Sequence, residues 1–388
     1  MLIVHFSLTP LVGAPIRLCE ALGRLDGVEA RFVVLDPKGY VDQSHPIDLV
    51  WEDDKALVSE LVERADILHL HNYISLDSKE FAPLDFSALW ESGKPMVRHF
   101  HSTPDLVARM MRCNVSDVFR CPIPKLTIAQ YPERFYPTAR LVPNIVLPNQ
   151  YGIERSVREG PIRIGYSPSS FRSGRISRWD TKGYPETISM LRRLERKAKA
   201  RGISVEIDVI EQVSHRECLA RKSECDIAID DLVTGSYHMS TLESLELGSM
   251  VLTHMDDRVQ KAVAEVCGRN DFPAVNVRLE DAEEVLLSTL DRPEMVREIG
   301  KYSAEWMAKY WSMDEMASRF LVIYRDVLAN PRQPFSQRFD LQSAAGRFLN
   351  NEIHDVNWHA RHERWPKEPP LLLKKARNLL RKIGIHRV

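Results

Sequence analysis

Short apolar runs alternate along this chain with stretches whose apolar positions recur every three or four residues. Leu2–Ser7 is followed by a helical pattern over Arg17–Leu25 and a second run at Ala30–Leu35. Strand, helix, strand is the order of a parallel sheet with helices on its faces. Further strands are expected at Asp66–His71, Pro95–His101, Thr127–Ala129 and Ala139–Val142, all in one amino-terminal doubly wound domain. Val142–Gly160, which holds Pro143, Pro148, Asn149 and Gly152, has the turn-rich composition of a linker. A second alternation follows at Ile162–Ser167, Val205–Ile210, Ile227–Ile229 and Met250–Thr253, with Ile188, Leu191 and Leu194 on one face of a helix over Pro185–Arg201. Glu294–Leu328 reads as a long helical stretch, and beyond Asn330-Pro331 the chain turns polar and rich in His and Arg.

Composition narrows the class. With 44% apolar and 28% charged residues the 388-residue chain is globular, neither disordered nor fibrous, and long enough for two or three domains. The formal net charge of −1 is uneven: residues 331–388 carry +7, which leaves −8 for the body. The six cysteines form no CxxC pair and have no His cluster at zinc spacing beside them, so reduced thiols in a cytoplasmic protein are expected. Met1–Ile16 lacks a basic flank and contains Pro10, Gly13 and Pro15, which suits a strand and loop better than a signal peptide. No apolar run reaches the length of a membrane span.

No G-x-G-x-x-G follows the first strand and no G-x-x-x-x-G-K-[ST] occurs, which removes the main support for nicotinamide dehydrogenases and P-loop ATPases. In doubly wound domains ligands bind at the carboxyl ends of strands, so polar residues there are the candidates. Gly13 lies in the first strand-to-helix loop, either facing a ligand or serving only the turn. His69 and His71 share a face of one strand, as do His99 and His101 of another. No carboxylate or Cys completes a recognisable metal set, and the last histidine of each strand is the better site candidate.

Cys225–Leu252 carries the most specific pattern: a strand, a small polar loop, a helix bearing Glu243, Gly248, then another strand. It resembles the donor-binding region of retaining glycosyltransferases of the GT-B fold, in the GT4-like group, which reads approximately "aDi…G-x-Y-G…E-A-M-A-x-G-x-P-V". Val12-Gly13-Ala14-Pro15, Ala65–Asn72, Lys94-Pro95 leading to His101, Val142-Pro143-Asn144, Lys182-Gly183 and Tyr302–Leu328 match that group's landmarks in order, over about 330 residues. The resemblance implies an α/β protein of two Rossmann-like domains facing a central cleft, with a carboxy-terminal helical extension. The expected boundaries are 1–150 (acceptor side), 151–312 (nucleotide-sugar binding), 313–330 (a helix packing back on the first domain) and 331–388 (a basic extension).

Glycosyl transfer needs the departing diphosphate stabilised, which cationic side chains and helix amino-termini can do without a metal. Lys182 is the first candidate for this, with Arg178 or Arg175 beside it, and the backbone N–H groups of Ser240 and Thr241 can also face phosphate. The resemblance assigns Glu243 to the ribose hydroxyls and sets Gly235, Tyr237 and His238 around the donor. Gly235 stands where many relatives carry a first glutamate, and His238 where they often have Gly. By the same resemblance His101 lies near the transferred sugar, Gly13 and His71 border the acceptor, and no metal or other cofactor is required.

The expected partners are a nucleotide sugar and a saccharide or lipid-linked acceptor of surface-polymer synthesis. A non-catalytic binding subunit of the same fold is the alternative, and an epimerase acting on the nucleotide sugar is a third reading. Within 371–385, Leu372, Leu373, Ala376, Leu379, Leu380 and Ile383 recur at helical spacing among Lys and Arg. Such a helix either lies on an anionic membrane surface, placing the protein at the inner face of the membrane, or docks on protein. The basic run has no interleaved aromatics, and nucleic acid is not expected as a partner.

Overall fold

The computed structural model describes residues 1–38, 45–131, 135–156, 160–168, 181–333, 335 and 343–349. Two parallel sheets organise them. The first contains β1 (Leu2–Ser7), β2 (Glu29–Val34), β3 (Leu49–Val50), β4 (Ile67–His71), β5 (Met96–Phe100), β6 (Lys125–Ile128) and β7 (Ala139–Val142), in the order β3-β2-β1-β4-β5-β6-β7. The second contains β8 (Ile162–Tyr166), β9 (Val205–Val209), β10 (Ile227–Ile229), β11 (Met250–Thr253) and β12 (Val275–Asn276), in the order β12-β11-β10-β8-β9.

β1 and β4, and most of the central strands of both sheets, are buried along their whole length, as strands covered on both faces must be. Strand order reverses between β1 and β4 in the first sheet and between β8 and β10 in the second. These reversals leave crevices at the carboxyl ends of the strands.

The expected strands are present, and two two-residue edge strands, β3 and β12, join them. Glu294–Leu328 is not one helix. It divides into Pro293–Tyr310 and Met313–Ala329, because Ser312 adopts an extended conformation and its hydroxyl accepts the Glu315 N–H at 3.3 Å. That N-cap starts a new helix and lets it change direction.

The new helix lies against the first sheet's side of the molecule. Tyr324 meets His69 at 2.7 Å, and ion pairs join Arg24 to Asp314 at 2.8 Å and Arg140 to Asp326 at 2.7 Å. One apolar cluster runs from Ile3, Leu18 and Val97 through Phe320 and Tyr324 to Trp311, Trp306, Tyr237 and Leu242, and so joins both sheets' layers. At its centre Asn144, just after β7, accepts the Trp311 indole N–H through its backbone carbonyl at 2.9 Å and the Tyr237 hydroxyl through Oδ1 at 3.1 Å.

Close packing within the second domain rests on two glycines. A Cβ on Gly300 would stand 2.1 Å from the Gly248 carbonyl oxygen, and Gly248 itself has φ +77°. The helix Pro293–Tyr310 therefore approaches the turn between the Glu243 helix and β11 at backbone distance. Gly300→Ala is expected to lower thermal stability by about 1–3 kcal/mol through overpacking, measured by denaturant unfolding. A rise in stability, which alanine's helix propensity alone would give, would contradict this packing account.

Candidate functional site

The first helix, Ala14–Leu22, begins at Gly13, whose φ of 74° belongs to the left-handed region, and has Pro15 in its opening turn. Side chains crowd this turn. A Cβ on Gly13 would lie 2.7 Å from His45 Nδ1 and 3.2 Å from Arg17 Nη1. Arg17 is 2% exposed; its Nη2 donates to the Val12 carbonyl at 2.9 Å, while Nε and Nη1 have no partner among the described residues. Burial lowers its pKa, and the charge of Glu243 opposes that shift. Glu243 belongs to the other domain, so an arginine of the first domain faces a carboxylate of the second.

Glu243 lies on the helix Met239–Glu246 and is 8% exposed. Its Oε2 accepts from Lys222 Nζ at 2.8 Å, and its Oε1 lies 2.9 Å from His215 Nε2. Burial pushes its pKa up, but Lys222, His215 and Arg17 together hold it well below the usual carboxylate range. Lys222, only 4% exposed, keeps a raised pKa because Glu243 outweighs the effect of burial. The tie extends to the linker and back to the first domain: Tyr151 Oη is 3.1 Å from His215 Nδ1, and the His45 and His215 rings are 5.1 Å apart.

A second polar group surrounds the ends of β8 and β10. Asp230 Oδ2 accepts the His238 N–H at 2.9 Å and the Thr241 hydroxyl at 2.6 Å, and the His238 ring stands 3.4 Å away. Burial raises the Asp230 pKa, but His238, these hydrogen bonds and Lys182 bring it down to about 2. Ser240 Oγ is 2.9 Å from Ser167 Oγ. Lys182 has φ 52°, a costly conformation for a residue with a Cβ, and Gly183 follows at φ 70°, where a Cβ would meet Val233 at 2.4 Å. The Lys182-Gly183 pair is thus held at the entrance to the helix Tyr184–Ala200.

The expected site residues divide. Gly13 and Glu243 come to the same cleft, while Lys182, His238, Ser240 and Thr241 gather around Asp230. Tyr237 is fully buried with its hydroxyl on Asn144, and its backbone carbonyl accepts from Gln130 Nε2 at 2.6 Å, so its side chain serves the domain contact. Gly235, at φ +78°, lies against Asp256, 3.4 Å from where a Cβ would stand. Arg175, Arg178 and the segment 371–385 fall outside the described residues.

His71 and His101 belong to a larger assembly. His5, His69, His71 and His99 point from β1, β4 and β5 to one face of the first sheet; His101, one residue past the carboxyl end of β5, completes the stack and alone is half-buried. Asn72, at the end of β4, fixes that edge by accepting the His101 N–H through Oδ1 at 2.6 Å and donating from Nδ2 to the Ser102 hydroxyl at 3.1 Å. Burial pushes every ring in the stack below the usual imidazole range, His5 and His101 to about 3, so all are neutral at pH 7. The sequence pattern flagged four of these histidines. His5 and Arg17 went unnoticed because each sits within an ordinary strand or helix pattern; His5 occupies an inward position of an apolar strand, which was a usable signal.

No family model matches this chain, and no curated protein matches its sequence. Solved structures do match in shape. A sucrose-phosphate synthase from Thermosynechococcus elongatus aligns with TM-score 0.52 at 12% identity, covering 85% of this chain and 99% of that one. The O-GlcNAc transferase of Thermobaculum terrenum gives 0.49 at 16% identity, covering 86% and 68%. A glycosyltransferase from Rickettsia africae gives 0.47 at 13% identity, covering 85% and 99%. The fold is GT-B-like: two parallel α/β sheets and a long carboxy-terminal helix.

Two outcomes test these charge assignments. Buried neutral histidines have folded pKa values below the unfolded value of roughly 6.5, so their contribution is whole above that pH and erodes as pH falls toward about 3. Between about pH 7.5 and 5.5 the unfolding free energy is expected to fall by several kcal/mol for the stack as a whole, on the order of one per ring. Unfolding free energies that stay level over this range would mean the rings take up protons in the folded protein as they do in the unfolded chain. Separately, Lys222→Met is expected to cost about 3 kcal/mol by stranding Glu243, and adding Glu243→Gln to recover most of it. Additive losses in that double-mutant cycle would remove the proposed coupling.

Proposed function

We propose that this protein transfers a glycosyl unit from a nucleotide-sugar donor, with retention, to a saccharide or lipid-linked acceptor. The observation that carries the proposal is that Arg17, beside Gly13 on one domain, lies within electrostatic reach of Glu243 on the other, at the crevices where both sheets reverse their strand order. A nucleotide sugar spans such a cleft well, since it has a hydroxyl-rich end, a dianionic centre and a second hydroxyl-rich end.

Each oxygen of the Glu243 carboxylate keeps a further lone pair beyond those engaged by His215 and Lys222, and these can accept the vicinal ribose hydroxyls. The paired cation and imidazole hold the carboxylate in one orientation before the donor arrives. Lys182 and the amino-terminus of the helix Met239–Glu246 supply positive potential for the diphosphate. Arg17 adds a cation from the opposite wall, with two N–H donors unspent. These groups stabilise the leaving diphosphate as the anomeric carbon becomes cationic. In a retaining transfer the leaving phosphate itself takes the acceptor proton from the same face, so no protein base is assigned.

Two observations favour the alternative, a nucleotide-sugar-binding subunit without transfer activity. Both oxygens of Glu243 already have protein partners, and Gly235 replaces the first glutamate.

A panel of nucleotide sugars should be tested for thermal stabilisation and for slow donor hydrolysis. At least one is expected to raise the melting temperature and to be hydrolysed, with affinity falling about tenfold or more in Lys182→Ala and in Arg17→Ala, as loss of a charge-assisted contact predicts. Stabilisation without turnover selects the binding subunit. If no nucleotide sugar binds, and both variants leave every measured property unchanged, the proposal fails.

A further inference from the structure

The histidine stack has a capacity that glycosyl transfer does not use. Two trios within it, His5/His69/His71 and His71/His99/His101, each place one ring nitrogen per residue within 4.8 Å of the other two. His71 Nδ1 and His101 Nε2 are 2.9 Å apart, and the His99 and His101 ring centroids 4.0 Å apart. A tetrahedral ion with metal–nitrogen bonds of about 2.0–2.1 Å sets its ligand nitrogens about 3.3 Å from one another, so the trio needs only small adjustments to hold one.

Hydrogen bonding alone accounts for part of the stack. Neutral imidazoles can chain as N–H···N contacts from His5 Nδ1 to His71 Nε2 at 3.1 Å and from His71 Nδ1 to His101 Nε2. A second chain runs from Tyr324 Oη to His69 Nδ1, and from His69 Nε2 to His99 Nδ1 at 3.1 Å. Three ring nitrogens, His5 Nε2, His99 Nε2 and His101 Nδ1, are then left buried without a partner among the described residues. Each such orphan costs about 1–3 kcal/mol, an unusual concentration for one sheet face.

We propose that His71, His99 and His101 form a binding site for a divalent first-row transition metal, with an open fourth position toward the cleft. The outer trio is favoured over the inner one because His101, just past the carboxyl end of β5, is half-buried and gives an entry path, whereas His5 and His69 are fully buried. Two of the three rings are placed as metal-bound imidazoles are, with the ring nitrogen away from the metal held by a fixed partner. His71 keeps Nε2 on His5, and His99 keeps Nδ1 on His69, which Tyr324 anchors in turn.

Three neutral imidazoles and no carboxylate select Zn²⁺, Co²⁺, Ni²⁺ or Cu²⁺ over Mg²⁺ or Ca²⁺. The ion's charge is balanced at the fourth position by hydroxide or an anionic ligand, for which Arg17 is the neighbouring cation. The site couples metal occupancy to the packing of the terminal helix through Tyr324. It stands apart from the nucleotide-sugar reading, which needs no metal, so either can fail alone.

The full chain, stripped of metal, should be titrated with Co²⁺ and Zn²⁺. The expected result is one equivalent bound, with the visible absorption of tetrahedral Co²⁺ and a raised melting temperature. X-ray absorption should count three imidazole ligands. Affinity should fall at least about tenfold in His71→Gln and His99→Gln but not in His254→Gln. Absence of binding at millimolar metal, fewer than three imidazoles, or affinity unchanged in both stack variants would overturn the site. The ligand count on the unaltered chain decides the question if those variants do not fold.

Discussion

An ionised carboxylate cannot be kept from water without compensation, and much of this molecule's interior organisation answers that demand at Glu243. Lys222 and His215, from the helix His215–Ser223, meet its two oxygens at 2.8 and 2.9 Å, and Arg17 reaches toward it from the other domain. These contacts fix the helix that carries Glu243, draw the linker inward through Tyr151 on His215, and bring the first helix's opening turn to the cleft. Gly13 follows from the same crowding, since a Cβ there would strike His45 and press on Arg17. The cleft wall is thus set by charge before any ligand is considered.

Charge alone would not hold two domains in register. Asn144, Trp311 and Tyr237 form a largely apolar pivot between the sheets, and the helix Met313–Ala329 fastens to the first domain through Tyr324 on the histidine stack. The stack lies between the first sheet and this helix, so its neutrality is a structural requirement: protonating five adjacent buried rings would repel charge within a packed layer. The domain contact and the candidate metal site therefore share one element, the terminal helix.

The alternation of the two domains was legible because parallel strands covered on both faces read as unbroken apolar runs, and amphipathic helices separate them. The two-residue strands β3 and β12 are too short to leave a pattern. Among the candidate site residues, Gly13 was singled out at the first strand-to-helix loop, and Lys182, Thr241 and Glu243 through the resemblance and the loops that open their helices. Lys222 and His215 were not, because they lie 21 and 28 residues from Glu243 in sequence and only the winding of the second sheet brings them beneath it. Arg17 looked like a helix's polar face, since a buried guanidinium leaves no local mark in sequence. Tyr237 sat in the right motif, but its ring turned inward to the domain contact.

In the proposed function a nucleotide sugar lies in the cleft between Glu243 of the second domain and Arg17 of the first. A crystal structure of the chain soaked with the nucleotide sugar that binds most tightly examines this directly. The account predicts the ribose hydroxyls on the Glu243 carboxylate, with Lys222 and His215 still in place, and the diphosphate within hydrogen-bonding distance of Lys182 or Arg17. A nucleotide bound elsewhere, or one that displaces Lys222 from Glu243, would contradict it.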